Sequence, residues 1–266
     1  YIHWGATTQN ITQTGKLLIV RKCHQIFLSQ IAELLKILSK LAIETKDYVM
    51  PGRTHGQHAV PATFGYKVAV WLDELIRHVD RLKNCEERVF VTMLGGGAGT
   101  MASVGREGLE TQDLMAAELG MSSMPLPSRT TGDHLTEYIT VLAMLAATSS
   151  KMAREVYTLM KQEFGELEEP VPLGAVGSST MPQKRNPDFA ELARGKTGRI
   201  YGHLMSILTT LKGIPMAYNR DLQEDKEPLF DSVDTVLATL GVMTGMLRDL
   251  KVDRKRMRDA AESSYV

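Results

Sequence analysis

Between residues 134 and 164 the positions Leu135, Ile139, Leu142, Ala146, Ser149, Ala153, Val156 and Met160 step alternately by four and three. That is a heptad seam, and at 1.5 Å per residue the helix it predicts is about 46 Å long. A second stripe, Tyr138, Val141, Leu145, Thr148 and Met152, runs beside it. A helix apolar on two faces is buried in a bundle, because a surface helix needs only one such face. Similar spacing predicts helices over 15–45 (Ile31, Leu34, Leu35, Leu38, Leu41), 62–93, 106–119, 188–212 (Leu192, Ile200, Leu204, Ile207, Leu211) and 229–250. No stretch alternates strictly, with β-branched enrichment, for long enough to predict a sheet. The pattern therefore predicts an all-α fold, an elongated bundle of long helices.

Proline disrupts a helix interior, so the ten prolines, at 51, 61, 125, 127, 170, 172, 182, 187, 215 and 228, mark connections. Four polar or glycine-rich connections result: Tyr1–Gln13, Tyr48–Pro61, Gly95–Ser103 and Gly165–Pro187. The last runs for 23 residues, against about 2–8 for an ordinary helix–helix link. A loop that long in a compact helical protein is usually functional or disordered.

Composition narrows the function. The 266 residues are 43% hydrophobic, enough for a real core. Lys+Arg and Asp+Glu both number 31, which argues against a generally basic surface for nucleic acid or anionic lipid but permits a local basic pocket. Two cysteines, Cys23 and Cys85, imply no disulfide framework and point to a reducing, cytoplasmic setting. No uninterrupted apolar run approaches the roughly 18 residues a membrane span needs, and no targeting segment is expected. No Cys/His spacing suggests a metal, and no dinucleotide fingerprint occurs, so no cofactor is expected. Gly95-Gly96-Gly97-Ala98-Gly99-Thr100 lacks the Gly-Lys-Ser/Thr ending of a phosphate loop and reads as a turn. His24, His78 and His203 lie in helical patterns and read as structural; His3, His58 and His134 lie near the polar segments.

The long loop carries Gly174 and Gly177, the hydroxyls of Ser178, Ser179 and Thr180, the cations Lys184 and Arg185, and Asn186. Asp188 and Glu191 then open a helix. Such a set can wrap a small polyanion; a solvated loop with an ordinary Asn/Asp cap is the other reading. The run Gly177-Ser178-Ser179-Thr180-Met181-Pro182-Gln183-Lys184-Arg185-Asn186-Pro187 resembles, without a gap, the signature of the aspartase/fumarase superfamily. Gly5-Ala6-Thr7-Thr8-Gln9-Asn10 resembles that family's first region and Gly52-Arg53-Thr54-His55-Gly56-Gln57-His58-Ala59 its second. The resemblance implies a central helical-bundle domain over 1–250, with 251–266 opening a C-terminal domain and the smaller N-terminal domain lying outside this chain. It also implies a small dicarboxylate substrate and a homotetramer whose active sites draw on three subunits.

Elimination from a succinyl compound requires removing a proton beside a carboxylate, stabilising the dianionic aci-carboxylate and protonating the leaving atom. By resemblance Ser178 is the base. A serine hydroxyl is a weak base unless cations or amide N–H groups stabilise its alkoxide, which Lys184 and the glycine-flanked loop can supply. Lys184 and Asn186 would hold the enolised carboxylate. A histidine side chain can serve as a proton donor at physiological pH, and by resemblance His55 would be the general acid, oriented by Glu191 of another subunit. Thr7, Thr8 and Gln9 offer two hydroxyls and an amide for a carboxylate, though Thr7 or Thr8 also suits a helix N-cap. Thr8 and Gln9 depart slightly from the Ser and Asn/Asp common in the family. Thr54, Gln57, Ser179, Met181 and Arg220 complete the expected substrate contacts.

The branches of the family pull apart. His3-Trp4-Gly5-Ala6-Thr7 and Gly52-Arg53-Thr54-His55-Gly56-Gln57 look most like adenylosuccinate lyases and carboxymuconate cycloisomerases, whereas Tyr218-Asn219-Arg220-Asp221-Leu222-Gln223-Glu224-Asp225-Lys226-Glu227-Pro228 resembles argininosuccinate lyases. The shared expectation is a lyase that breaks a C–N bond of an N-substituted aspartate and releases fumarate. The alternative is a cycloisomerase or dicarboxylate epimerase using the same carbanion. A non-catalytic, structural family member is disfavoured by the presence of Ser178, Lys184, Asn186 and His55 together.

Overall fold

The structure is a computed structural model that describes residues 2–127, 130–171, 174, 178, 180–181 and 183–263. Among these it contains seven α-helices and six short strands, in the order α1 (Thr8–Glu44), β1 (Val49–Thr54), β2 (Gln57–Thr63), α2 (Phe64–Val89), β3 (Val91–Thr92), α3 (Gly108–Leu119), β4 (Ser122–Ser123), α4 (Asp133–Leu159), β5 (Leu167–Glu168), α5 (Asp188–Leu211), α6 (Lys226–Arg248), β6 (Lys251–Val252) and α7 (Arg254–Glu262). Short 3₁₀ turns cover Gly105–Glu107 and Arg220–Asp225. The chain is all-α in class, as the heptad seams predict, and α6 runs through Pro228 because a proline in the first turn costs no helical hydrogen bond.

Two compact units are formed. The first comprises Tyr1–Phe27, Asp80–Met144 and Arg199–Leu237, the second Leu28–Val79, Leu145–Gly198 and Ala238–Val266. Helices α1, α2, α4, α5 and α6 each contribute residues to both. Within Arg220–Arg248 an 18-residue window has a mean hydropathy of 1.2, long and apolar enough by composition to cross a membrane, yet 56% of that window is buried within the protein. Buried Leu229, Val233, Val236 and Leu240 recur on its inner face, as a core helix requires.

In the first unit Leu17, Val20, Leu82, Val89, Leu135, Ile139 and Leu142 fill the core. Tyr138, fully buried, reaches Nδ1 of His24 at 3.2 Å, and His24 Nε2 lies 2.9 Å from Glu86. Phe90 packs on both rings, at 5.1 and 5.7 Å between centroids. The structural reading of His24 therefore holds: its polar atoms are satisfied where its ring is buried. The Lys16 ammonium meets both oxygens of Asp225 at 2.6 Å, and both residues are buried. His134 has no such relief. Its Nε2 is buried without a partner among the described residues.

The second unit buries Ile31, Leu34, Leu38, Phe64, Val68, Leu75, Val156, Met243 and Met257. His78 Nε2 is 2.8 Å from the Thr148 hydroxyl, which satisfies this buried histidine as well. The sequence pattern predicts no sheet, yet β1 and β2 form an antiparallel hairpin from Val49↔Thr63 to Thr54↔Gln57. Alternation does not reveal it because Gln57–Pro61 is exposed on both faces, and Pro51 and Gly52 interrupt β1. The two-residue pairs β3–β4 (parallel) and β5–β6 (antiparallel) are too short to leave a periodic signal. At the return into α2, Gly65 lets two backbones meet: a Cβ there would lie 2.6 Å from Lys46 Cα and press on the Ala42 carbonyl.

Two predictions follow from this packing. Gly65→Ala should cost about 1–3 kcal/mol, the usual range for overpacking, read as a lower midpoint in thermal unfolding; an unchanged midpoint refutes the close approach. Burial holds the His134 imidazole down from its ordinary 6.5 to about 4, with Lys16 adding to the effect and Asp133 and Glu137 opposing it. A folded-state pKa below the unfolded one means the stability is intact above pH 6.5 and is lost as pH falls toward 4. Full titration is worth about 3 kcal/mol. Denaturant titrations of His134→Gln between pH 7 and pH 4 should show a flatter pH dependence than the wild type, and parallel curves would refute the assignment.

Candidate active site

Three motif segments fall on different local structures. The second family segment is the β1–β2 hairpin. Its two-residue turn, His55-Gly56, has positive φ at both residues, +53° and +75°, the requirement of a type I′ turn. Histidine is among the few residues besides glycine that enter this region with some frequency. The turn holds Thr54, His55 and Gln57 at an exposed tip. The stem below is rigid: Arg53 forms a bidentate pair with fully buried Glu166, its Nη1 donating to Oε2 at 3.0 Å and its Nη2 to Oε1. Phe164 stacks on the guanidinium at 5.0 Å.

The signature segment runs into the start of α5. The Met181 amide donates to Ser178 Oγ at 3.2 Å, and the Lys184 amide donates to the Met181 carbonyl at 2.9 Å. An amide aimed at Ser178 Oγ is the kind of donor that an alkoxide needs. The first free amides of α5 are capped from outside the helix: Phe189 N and Ala190 N donate to the two carboxylate oxygens of Glu169 at 3.0 and 2.8 Å. Burial pushes the Glu169 carboxyl up, against the pull of these two hydrogen bonds, with Asp188 and Glu191 adding to the rise. Glu191 is exposed in the first turn of the helix so capped. Ser179 lies outside the described residues.

A cavity of about 1140 Å³ opens beside this segment, lined by Met181, Lys184, Asn186 and Glu191. Its other wall carries Lys161, Lys251, Arg254 and Arg256. With Arg185 it is lined by six cations against the acids Glu168, Glu191 and Asp253, so it attracts anions such as a dicarboxylate. The zero net charge of the chain hides this local excess. Neither Ser178 nor Thr54, His55 or Gln57 is among the described residues that line it.

The first family segment lies in the first unit. Thr8 opens α1 and is exposed; Gln9 is buried, its amide donating to Gln13 at 3.2 Å. The organiser here is Asn10, whose Oδ1 accepts from Thr7 N at 3.0 Å and Gly96 N at 3.1 Å. It ties the start of α1 to the glycine-rich turn. Its Nδ2 is buried with no partner among the described residues. Arg220 is exposed at the start of its 3₁₀ turn, where Gln223 donates to Tyr218 Oη and Lys226 to Gln223 Oε1. Among the described residues no acidic, His or Cys cluster could hold a metal.

The motifs single out the tip and the loop but not the residues that support them, Asn10, Arg53, Glu166 and Glu169. Arg53 and Asn10 stand inside recognised motifs, and their position there was the available signal. The glutamates lie in Gly165-Glu166-Leu167-Glu168-Glu169, where nothing local separates a buried acid from a solvated one.

The comparisons with known proteins bear on the same segments. The profile of the family described as Lyase matches residues 1–202. The argininosuccinate lyase of Frankia casuarinae is 39% identical over 266 residues, covering 98% of this chain and 56% of that protein. That of Moorella thermoacetica is 42% identical over 240 residues, covering 88% and 50%. The chain spans about half the length of the curated relatives it matches. Among solved structures, the fumarate lyase from Mesorhizobium sp. BNC1 superposes with a TM-score of 0.90 at 31% identity, and the 3-carboxy-cis,cis-muconate lactonizing enzyme from Pseudomonas putida with 0.91 at 31%. Each match covers 98% of this chain and 58% of the other. With the signature segment, the fold and these relatives in agreement, the chain belongs to the lyase family of the aspartase/fumarase superfamily.

Proposed function

We propose that the protein containing this chain is a C–N lyase that cleaves an N-substituted aspartate by β-elimination and releases fumarate, with argininosuccinate as the substrate. The observation that carries this reading is the 39% identity to an argininosuccinate lyase over 98% of the chain. The cationic cavity beside Lys184 and Asn186 suits the two carboxylates of the succinyl group.

Ser178, held as the alkoxide with the help of the Met181 amide, takes the proton from the carbon next to the carboxylate and becomes a neutral hydroxyl. Lys184 and Asn186 hold the aci-carboxylate. As the C–N bond breaks, the electron pair of the carbanion becomes the new C=C bond and His55 protonates the departing nitrogen. Glu191 orients that histidine, and Thr7, Thr8, Gln9, Thr54, Gln57, Ser179, Met181 and Arg220 grip the substrate. The exposure of the His55 tip supports a site completed across subunits. So does a stripe on α5, where Tyr201, Met205 and Leu208 are exposed beside Gly198 and Gly202, a face on which another helix can approach closely. The assembly in this reading is a homotetramer. Residues 1–250 form its central bundle and 251–266 open a further domain. The free thiols of Cys23 and Cys85 suit the cytoplasm. The second reading, a carboxymuconate-type cycloisomerase or a dicarboxylate epimerase, draws on the likeness to the lactonizing enzyme.

Ultraviolet monitoring of fumarate release from argininosuccinate and adenylosuccinate, and of the loss of a carboxymuconate's conjugated absorbance, separates these readings; activity on the muconate alone overturns the lyase. In the active protein Ser178→Ala should shift stability by less than about 0.5 kcal/mol while abolishing turnover and solvent deuterium exchange at the substrate's C3. Retention of more than a few per cent of exchange assigns the base elsewhere. His55→Ala should lower turnover by roughly 10²–10⁴-fold, with a much smaller loss on a substrate whose leaving group needs no proton. Equal losses on both substrates move His55 to binding.

A further inference from the structure

The segment Glu166–Glu169 grips two separate pieces of the candidate machinery. Glu166 is fully buried and gives both carboxylate oxygens to the Arg53 guanidinium. Its backbone is held as well: Glu166 N donates to the Leu159 carbonyl at 2.9 Å, and Asp253 N donates to the Glu166 carbonyl at 3.0 Å. Leu167 and Glu168 pair with Val252 and Lys251. Glu169 then caps the helix turn that carries Glu191. Arg53 lies two residues before His55, where the hairpin register slips: Gly52 faces Val60 but Arg53 faces His58. A bulge of this kind bends and twists the strand beyond it. The direction of the last two residue pairs and of the His55-Gly56 turn therefore depends on how Arg53 is held.

A buried ion pair is a poor choice for stability alone. Removing two charges from water costs several kcal/mol per ion, and apolar side chains of similar volume often serve the fold as well. Its distinctive property is geometric. Two parallel N–H···O bonds between a planar fork and a carboxylate admit one orientation, and here the Phe164 ring covers the guanidinium face.

We propose that Arg53 and Glu166 are positioning residues for the elimination: the pair sets the aim of the hairpin tip and acts on the reaction through His55. This rests on the lyase reading and on His55 as the acid. The experiment uses the full-length protein, with fumarate release from argininosuccinate as the assay. The double variant Arg53→Met/Glu166→Met should unfold within a few degrees of the wild type. Its kcat should fall roughly ten- to hundredfold, the effect of a misplacement near 1 Å, with a smaller rise in KM, because Thr54 and Gln57 of the same tip grip the substrate. In a His55→Ala background the same two substitutions should bring no further loss of kcat, because the acid that the pair aims is gone, and should change only KM through Thr54 and Gln57. Arg53→Lys, which keeps the buried charge but loses the fork, should show the same dependence on His55 to a smaller degree. It decides the matter if the double variant does not fold. Unchanged kcat, or losses that simply add to that of His55→Ala, overturn the positioning role. A wild type that releases no fumarate overturns the reading beneath it, and the proposal falls with it.

Discussion

The long helices of this chain must bury apolar residues on more than one face, and that requirement shapes everything else. Positions such as Ile139, Leu142, Leu145 and Val156 on α4 are at most a few per cent exposed. A helix packed all round has no room for groups that must meet a substrate, because an unpaired polar group in such a core costs its desolvation energy. The polar motif residues are therefore displaced to the ends and connections of the helices: the start of α1, the β1–β2 hairpin, the segment before α5 and the turn before α6. The four segments singled out by motif are these four connections.

Displacement to connections creates a second problem, since loops are the least ordered parts of a fold. The structure answers it with buried charge. Asp225 fixes the turn before α6 to Lys16 in the first unit, Glu166 fixes the hairpin stem, and Glu169 fixes the start of α5. Each uses both carboxylate oxygens. A carboxylate left with one oxygen unmet would carry an uncompensated burial cost, so the bidentate geometry is what makes acids tolerable at these positions. In return each loop is anchored at a single orientation.

At the hairpin the same logic separates a stem that is buried from a tip that is not. The positive φ of His55 is affordable because Gly56 takes the other half of the turn and because the paired strands below hold the register. The imidazole is thus presented outward on a rigid support. That is a different arrangement from a histidine in a pocket.

Much of this was legible in the amino acids. Periodicity placed all five long helices, because a helix buried on two faces repeats its apolar residues every three to four positions and a run of such repeats has few alternative explanations. The signature run identified the family because its hydroxyls, cations and amide lie in one uninterrupted stretch. The hairpin was not legible, since β2 is exposed on both faces over Gln57–Pro61 and Pro51 and Gly52 interrupt β1. Nor were the supports of the site. Asn10 meets Gly96 across 86 positions and Arg53 meets Glu166 across 113. Nothing within a few residues of Glu166 distinguishes it from the solvated acids around it. Local order and chemical inventory are properties of neighbouring residues, and sequence alone settled them. Which buried charge finds which partner depends on the helices having packed, and only the tertiary structure decided that.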